Sequence, residues 1–263
     1  MPELPEVEAV CRKLRTDAVG SVILRLRMLR RRDPAVERRA RGRRIMAAGR
    51  RGKNILLRLD NGRVLRFHLR MTGNLYVIPD ARFLPATARA WCELDGGRGL
   101  IFDDPRALGR MEMLDVAGVA ALGRELGPEP LDGSFAAAAF VAAARRSRQP
   151  SKPFLMDQRN VAGLGNIYAA EALFRAGIHP KRAMCRVSAP RLEALHRQIV
   201  LVLTDAVESA SKAYSGPGSY HSEENFPVAV YGRAGLPCPV CGTIVRRIRQ
   251  GGRSTYYCPQ CQR

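Results

Sequence analysis

This chain of 263 residues lacks the features that a membrane-spanning or secreted protein would need. No run of eighteen or more apolar residues occurs, so no helical membrane span is expected. The start is acidic and carries no apolar core of a signal peptide, so it does not read as a secretory leader. Acidic residues are scarce: 24 Asp and Glu face 44 Lys and Arg, giving a formal net charge of +20 and a pI near 10.7. Lysine is scarce too, occurring only at positions 13, 53, 152, 181 and 212, so most of the positive charge is arginine. A field of this sign favours polyanionic partners, nucleic acid first and an anionic membrane surface second. The cysteines number seven. An odd count without a leader argues for a reducing compartment rather than a disulfide framework. Cys11, Cys92 and Cys185 lie among apolar neighbours and read as small buried hydrophobes. No internal repeat is present.

What is there divides by periodicity. Leu4, Val7, Val10, Cys11 and Leu14 recur at helical spacing, with Pro5 in the first turn, Glu6 and Glu8 near the positive end, and Gly20 available to close the helix. From residue 21 to about 116 the period falls to two. Val22, Leu24, Leu26 and Met28 share one strand face. Ile55, Leu57 and Leu59 face Val64, Arg66 and His68 across Asp60-Asn61-Gly62, a hairpin signal. Shorter strands fit 74–78, 90–94, 100–102 and 110–116. Such short antiparallel strands predict a β-sandwich, residues 1–116. Residues 117–133, rich in Gly and Pro, read as a linker. A helical region follows over 134–230. Ser134 is read as the cap of an Ala-rich helix to about Arg146, a second helix runs from near Asn166 to Gly177, and Ser188 caps a third through about Ser211. A polar loop then spans Ser215–Pro227, and residues 231–263 form a last small module.

Three stretches carry chemistry. Cys238-x2-Cys241-x16-Cys258-x2-Cys261 pairs two tight knuckles whose four thiolates complete a tetrahedral site. Zn²⁺ is the default occupant and iron the alternative, in a structural role because no coordination position stays open. Between the knuckles, Arg246, Arg247, Arg249 and Arg253 flank Gly251-Gly252 on a basic hairpin suited to phosphate. In Gly163-Leu164-Gly165-Asn166-Ile167-Tyr168, glycines precede a helix that Asn166 is read as capping, which directs backbone N–H groups toward a phosphate site. At the start, removal of Met1 would leave the secondary amine of Pro2 beside the carboxylate of Glu3. An α-amine titrates near neutrality, so a useful fraction is nucleophilic. On those two residues alone, a tolerated second residue and a helix-end acid explain as much.

Taken together, Met-Pro-Glu-Leu-Pro-Glu-Val-Glu, Gly-Leu-Gly-Asn-Ile-Tyr and the four-cysteine module resemble the formamidopyrimidine-DNA glycosylase/endonuclease VIII family over nearly the whole chain. Leu4 places the sequence nearer the formamidopyrimidine branch. The resemblance implies an α+β multidomain enzyme: an N-terminal β-sandwich with an N-terminal helix, a helix–two-turns–helix domain, and a four-cysteine β-hairpin finger holding one structural zinc. The DNA would lie in the cleft between the domains. It implies Pro2 as nucleophile, Glu3 as acid, Lys53 as a hairpin-tip acid/base and phosphate contact, and Arg253 as the finger arginine. Asn166, Lys152 and His68 become DNA contacts, and Glu6 and Glu171 match recurring positions near the site. Met71, Arg106 and Leu108 match the residues that fill the hole left by a flipped base, Leu108 standing where Phe is usual. Trp91 occupies a DNA-contact position where His is common. The partner implied is double-stranded DNA with a damaged base or an abasic site, bound by a cytoplasmic, nucleoid-associated monomer. The Ser209–Tyr214 stretch and the Ser215–Pro227 loop lack the features that usually surround 8-oxoguanine. Other lesions, namely hydantoins and oxidised pyrimidines, therefore stay open. A non-catalytic damaged-DNA binder and a basic RNA-binding scaffold are the readings from other classes.

Overall fold

The computed structural model describes residues 2–30, 32–217 and 226–263. Two compact units emerge: one holds the chain through Arg124 and a stretch beginning at Ser209, the other Glu125–Glu208 and the C-terminal remainder.

The first unit is built on helix α1 (Leu4–Asp17). Glu3 is its N-cap, in a capping box with Glu6, and Pro5 sits in the first turn where no N–H is needed. Leu4, Val7, Val10, Cys11 and Leu14 are all 0–1% exposed, so the helical stripe read from the sequence is the buried face. Val7, Val10, Cys11 and Leu14 share one core with the inward residues of eight antiparallel strands: β1 (Val22–Met28), β2 (Arg43–Arg51), β3 (Asn54–Leu59), β4 (Val64–His68), β5 (Asn74–Ile78), β6 (Ala88–Leu94), β7 (Gly99–Asp103) and β8 (Arg110–Leu114). The order is β5-β7-β6-β1-β2-β3-β4-β8. Among the described residues the two four-stranded halves are hydrogen-bonded to each other at the short β1/β2 pairing alone, Val22↔Arg44 and Ile23↔Arg43, and otherwise meet through the shared core. Two elements depart from the reading of this region as strands throughout and a linker after it. Helix α2 (Pro34–Ala40) interrupts the strands, capped by Asp33, whose carboxylate accepts from the Ala35 and Val36 N–H groups. Helix α3 (Val116–Glu125) occupies the start of the stretch read as linker, with Leu122 its one buried residue.

The second unit is helical. Helix α4 (Ala137–Arg146) begins after Ala136, so Ser134 is not its cap; the Ser134 hydroxyl instead accepts from the Glu129 N–H at 3.0 Å. Helix α5 (Ser151–Met156) follows, then α6 (Asn166–Arg175), whose residues from Ile167 to Phe174 are all buried. A helix apolar all round belongs in the centre of its domain. Helix α7 (Ala189–Ala213) buries Leu192, Leu195, Ile199, Val202, Leu203, Ala206 and Val207 along one stripe. The chain ends in the hairpin of β9 (Arg246–Gln250) and β10 (Arg253–Tyr257).

Among the other cysteines, Cys11 and Cys92 are buried as expected, and burial pushes each thiol up to about 12. Cys185 is exposed on a short turn, so its apolar sequence neighbours were no guide to its own burial. Among the described residues, no helix is long and apolar enough to cross a membrane.

Candidate active site

Pro2 and Glu3 enter the first unit buried, Glu3 at 1% exposure. The Glu3 side chain accepts from the Glu6 backbone, while Glu6 Oε2 accepts from the Glu3 N–H at 2.6 Å. One turn on, the Glu8 carboxylate receives Arg50 Nε at 3.2 Å, and Arg50 Nη1 donates to the Gly52 carbonyl at 2.9 Å. Gly52, at φ +56°, and Lys53 form the two-residue turn between β2 and β3, closed by the Arg51↔Asn54 pair. A positive φ at the first turn position suits glycine. Asn54 fastens the turn from inside: its Nδ2 donates to the Arg51 carbonyl and its Oδ1 accepts from Arg66 Nε, both at 2.9 Å. Lys53 thus sits at a hairpin tip braced to the helix that carries Pro2 and Glu3.

The β3/β4 register sets His68 opposite Asn54, and the β4/β8 register sets His68 opposite Arg110. The His68 ring is lowered to about 4, by burial first and then by the charges of Arg70, Lys53 and Arg66. Its Nδ1 accepts from the Arg70 N–H at 3.1 Å. The ring is therefore neutral at pH 7, with Nδ1 as a hydrogen-bond acceptor. The folded value lies below the ordinary 6.5, so the unfolded chain takes the proton first. Stability from His68 is full above 6.5 and is lost as pH falls toward 4. Replacement by Asn keeps an acceptor but does not titrate. Wild type is expected to lose about 2–3 kcal/mol more than His68→Asn between pH 7 and pH 4, measured by urea unfolding. Parallel pH curves would contradict this.

Met71 follows β4 and is 42% exposed; Leu108 precedes β8 and is 45% exposed; Arg106 is exposed beside it. Next to them stand Arg70, at φ +57°, and Ala107, at φ +54°. Left-handed non-glycine residues cost about 1–2 kcal/mol each, so the surrounding contacts must hold both loops. Asp104, absent from the sequence reading, makes those contacts: Thr72 Oγ1 donates to its Oδ1, and the Gly109 N–H to its Oδ2 at 2.7 Å. Its sequence signal, an acid before Pro105 in a turn, says nothing of Thr72. Trp91 packs against Tyr76, Ala88 and Ile101 on the outer side of β6.

The second unit gathers the remaining candidates. The four cysteine sulfurs lie within 4.8 Å of one another, with separations of 3.9 Å for Cys238–Cys261, 3.5 Å for Cys241–Cys258 and 3.4 Å for Cys241–Cys261. Tetrahedral zinc with bonds near 2.3 Å requires sulfurs about 3.8 Å apart, so the set fits one structural zinc. Arg253 is exposed beside the Gly251-Gly252 turn. With Lys152, Met156 and Gln250 it lines a cavity of about 230 Å³. Lys152 is 1% exposed, and its ammonium donates to the Ser254 carbonyl and Thr255 Oγ1, both at 2.9 Å. In this position it braces the arginine hairpin from beneath. Glu171 is fully buried and accepts from the N–H groups of Ala229, Val230 and Tyr231 at 2.8–3.0 Å, anchoring the chain that leads to the finger. Asn166 is the first residue of α6 rather than its cap, which is Gly165. The Ser215–Pro227 loop, read as lacking the features that usually surround 8-oxoguanine, falls largely on 218–225, outside the described residues. Just before them, Tyr214 Oη donates to Asn74 Oδ1 at 3.0 Å, tying that segment to β5.

Known proteins match this arrangement end to end. The profile described as "Formamidopyrimidine-DNA glycosylase N-terminal domain" matches residues 1–111, the one described as "Formamidopyrimidine-DNA glycosylase H2TH domain" residues 126–215, and the "Zinc finger found in FPG and IleRS" residues 235–263. A formamidopyrimidine-DNA glycosylase of Chloroflexus aggregans is 42% identical, the alignment covering 100% of this chain and 98% of the relative. One from Thermus thermophilus is 43% identical with the same coverage. Among solved structures, a Lactococcus lactis FPG variant in complex with Fapy-dG-containing DNA superposes with a TM-score of 0.90 at 30% identity, covering 100% of both chains. The Thermus thermophilus MutM (FPG) structure gives 0.84 at 40% identity, covering 99% of this chain and 98% of that one.

Proposed function

Because this chain belongs to the formamidopyrimidine-DNA glycosylase family, we propose that it is a bifunctional DNA glycosylase/AP lyase of base-excision repair, working on damaged double-stranded DNA at the nucleoid. The observation that carries this is the buried Glu3 carboxylate immediately after Pro2, at the capped head of a core helix braced to the Lys53 turn. Phosphate binding alone needs neither a penultimate proline nor its acid, which disfavours a purely binding role.

The Pro2 nitrogen, freed by loss of Met1, attacks C1′ of the damaged nucleotide. The glycosidic bond breaks and Glu3 gives the departing base its proton. Loss of the amine proton and opening of the C1′–O4′ bond, with a proton to O4′, convert the adduct into an iminium, which acidifies the C2′ proton. Its removal expels the 3′ phosphate by β-elimination, and a further elimination expels the 5′ phosphate. Lys53 moves protons and holds phosphate at the hairpin tip, and Arg253 holds phosphate from the finger. Zinc on Cys238, Cys241, Cys258 and Cys261 folds the finger and takes no part in the bond changes. Extrusion of the nucleotide costs a few kcal/mol of unstacking. Met71 and Leu108 fill the gap, and Arg106 faces the orphaned base. Oxidised purines are the favoured substrates. Leu108 supports a second reading, with a broader lesion range, because an aliphatic wedge separates bases but stacks on them less well than an aromatic ring.

Borohydride added during turnover is expected to trap a covalent adduct, with the modified peptide at the N-terminus by mass spectrometry. Excision rates for 8-oxoguanine, formamidopyrimidine, hydantoin and oxidised-pyrimidine duplexes then rank the lesions. No adduct on any of these or on an abasic duplex would refute the assignment.

A further inference from the structure

We propose that Asp104 is a positioning residue for the duplex-opening wedge: its buried carboxylate clasps the two loops bearing Met71, Arg106 and Leu108 into one preorganised unit. This rests on the wedge reading of those three residues given above.

Asp104 is 0% exposed and every polar group of the residue is engaged. Its N–H donates to the Thr87 carbonyl at 3.1 Å, and its own carbonyl accepts from the Ala107 N–H at 3.0 Å and Arg89 Nε at 2.7 Å. Oδ2 accepts from the Gly109 N–H at 2.7 Å, which closes the loop around Arg106 and Leu108. Up to this point it resembles an ordinary acid in a turn. Oδ1 goes further. It accepts the hydroxyl of Thr72, thirty-two positions away, in the loop that presents Met71. A turn that served only itself would need no such bond.

The surroundings leave the clasp little slack. A Cβ on Gly109 would lie 2.6 Å from Phe102 Cζ and 3.1 Å from Asp104 Oδ2, so the loop backbone is pressed onto the carboxylate. On the far side, the His68 ring holds the Arg70 N–H, and the His68↔Arg110 pairing roots both loops in neighbouring strands. Each wedge loop also contains a left-handed non-glycine residue, Arg70 or Ala107, which isolated loops would relax. With the clasp closed, three exposed side chains enter the duplex together, and no loop has to be ordered at the moment of opening.

Thr72→Val removes only the bond across the loops, Thr72→Ser restores the donor, and Asp104→Asn keeps the shape but loses one acceptor. Duplex opening is followed by stopped-flow fluorescence of 2-aminopurine beside the lesion. Amine chemistry is followed separately by cleavage of a single-stranded abasic oligonucleotide, which needs no wedge. Thr72→Val is expected to slow opening and duplex excision about tenfold. Single-strand cleavage should stay within about twofold. Thr72→Ser should behave as wild type, and Asp104→Asn should fall below Thr72→Val in opening. Opening at the wild-type rate in Thr72→Val, or proportional loss of opening and single-strand cleavage, overturns the clasp. Wild type failing on the single-stranded substrate would instead sink the amine chemistry beneath it.

Discussion

Glu3→Gln is expected to cost about a thousandfold in release of an oxidised base while leaving strand cutting at a pre-made abasic site within about tenfold of wild type. The asymmetry follows from what the carboxylate does twice. As the N-cap of α1 it accepts from the Glu6 backbone. A glutamine oxygen does that as well, and Glu6 still receives the N–H of residue 3. The helix and its buried face should survive. As an acid, however, the group must hand over a proton, which an amide cannot do. An abasic site has no base to expel, so its route through the iminium bypasses that step. Glu3→Ala separates the two roles from the other side. It should lose the acid and also the cap, with about 1 kcal/mol of stability. Equal loss of both activities in Glu3→Gln, with a matching fall in melting temperature, would make Glu3 a cap and nothing more.

Loss of the metal is expected to weaken DNA binding by at least about a hundredfold while the sheet of the first unit stays folded. The finger owns very little core: Cys238, Val245 and Cys258 pack with Val230 on Ala170 and Phe174 of α6. Its only regular structure is the β9/β10 hairpin of five residue pairs. A lone two-stranded hairpin is marginal in water, and so small a lobe buries too little to fold alone. Structural zinc contributes about 10–16 kcal/mol in comparable peptides, more than such a core can replace. Without it Arg253 loses its fixed place, and the Lys152 ammonium loses Ser254 and Thr255. The second unit is therefore the one that should loosen. Chelation or Cys258→Ser, followed by DNA titration and hydrogen exchange, provides the check. Protection falling equally in α1 and in the finger would contradict it.

Much of this was legible in the residues because it is local. The stripe on α1, the Asp60-Asn61-Gly62 hairpin, the Gly52-Lys53 turn and the cysteine spacing each need only a few neighbouring positions to declare themselves. Helix α2 was legible too and was missed: Asp33-Pro34 is a cap followed by an N1 proline, set among residues read for period two. Strand β2 hid for a physical reason. Its register slips between Ile45 and Ala47, and its arginine-rich faces do not alternate cleanly in burial. The burial of Lys152 left no sequence trace, because a lysine is assumed to face solvent and its partners lie a hundred positions away. Asp104 and Thr72 are the same case on a smaller scale. Long-range pairs of polar groups leave no periodic trace, so the devices that aim a site are the last part of it a sequence gives up.

Strand order also dictates when the wedge can form as the chain folds. β2, β3 and β4 are joined by tight turns, and hairpins of that kind close within microseconds. β1 must wait for β6, Ile23 pairing with Leu94, and β4 must wait for β8, Val64 pairing with Leu114. Non-local closures of this length set the slow rate of such topologies. Until β7 pairs with β5, Asn74 opposite Asp103, Asp104 has no Thr72 to meet, and until β8 docks the loop of Arg106 and Leu108 has no fixed root. The turn that carries Lys53 is thus an early product of folding, and the tool that opens the duplex a late one.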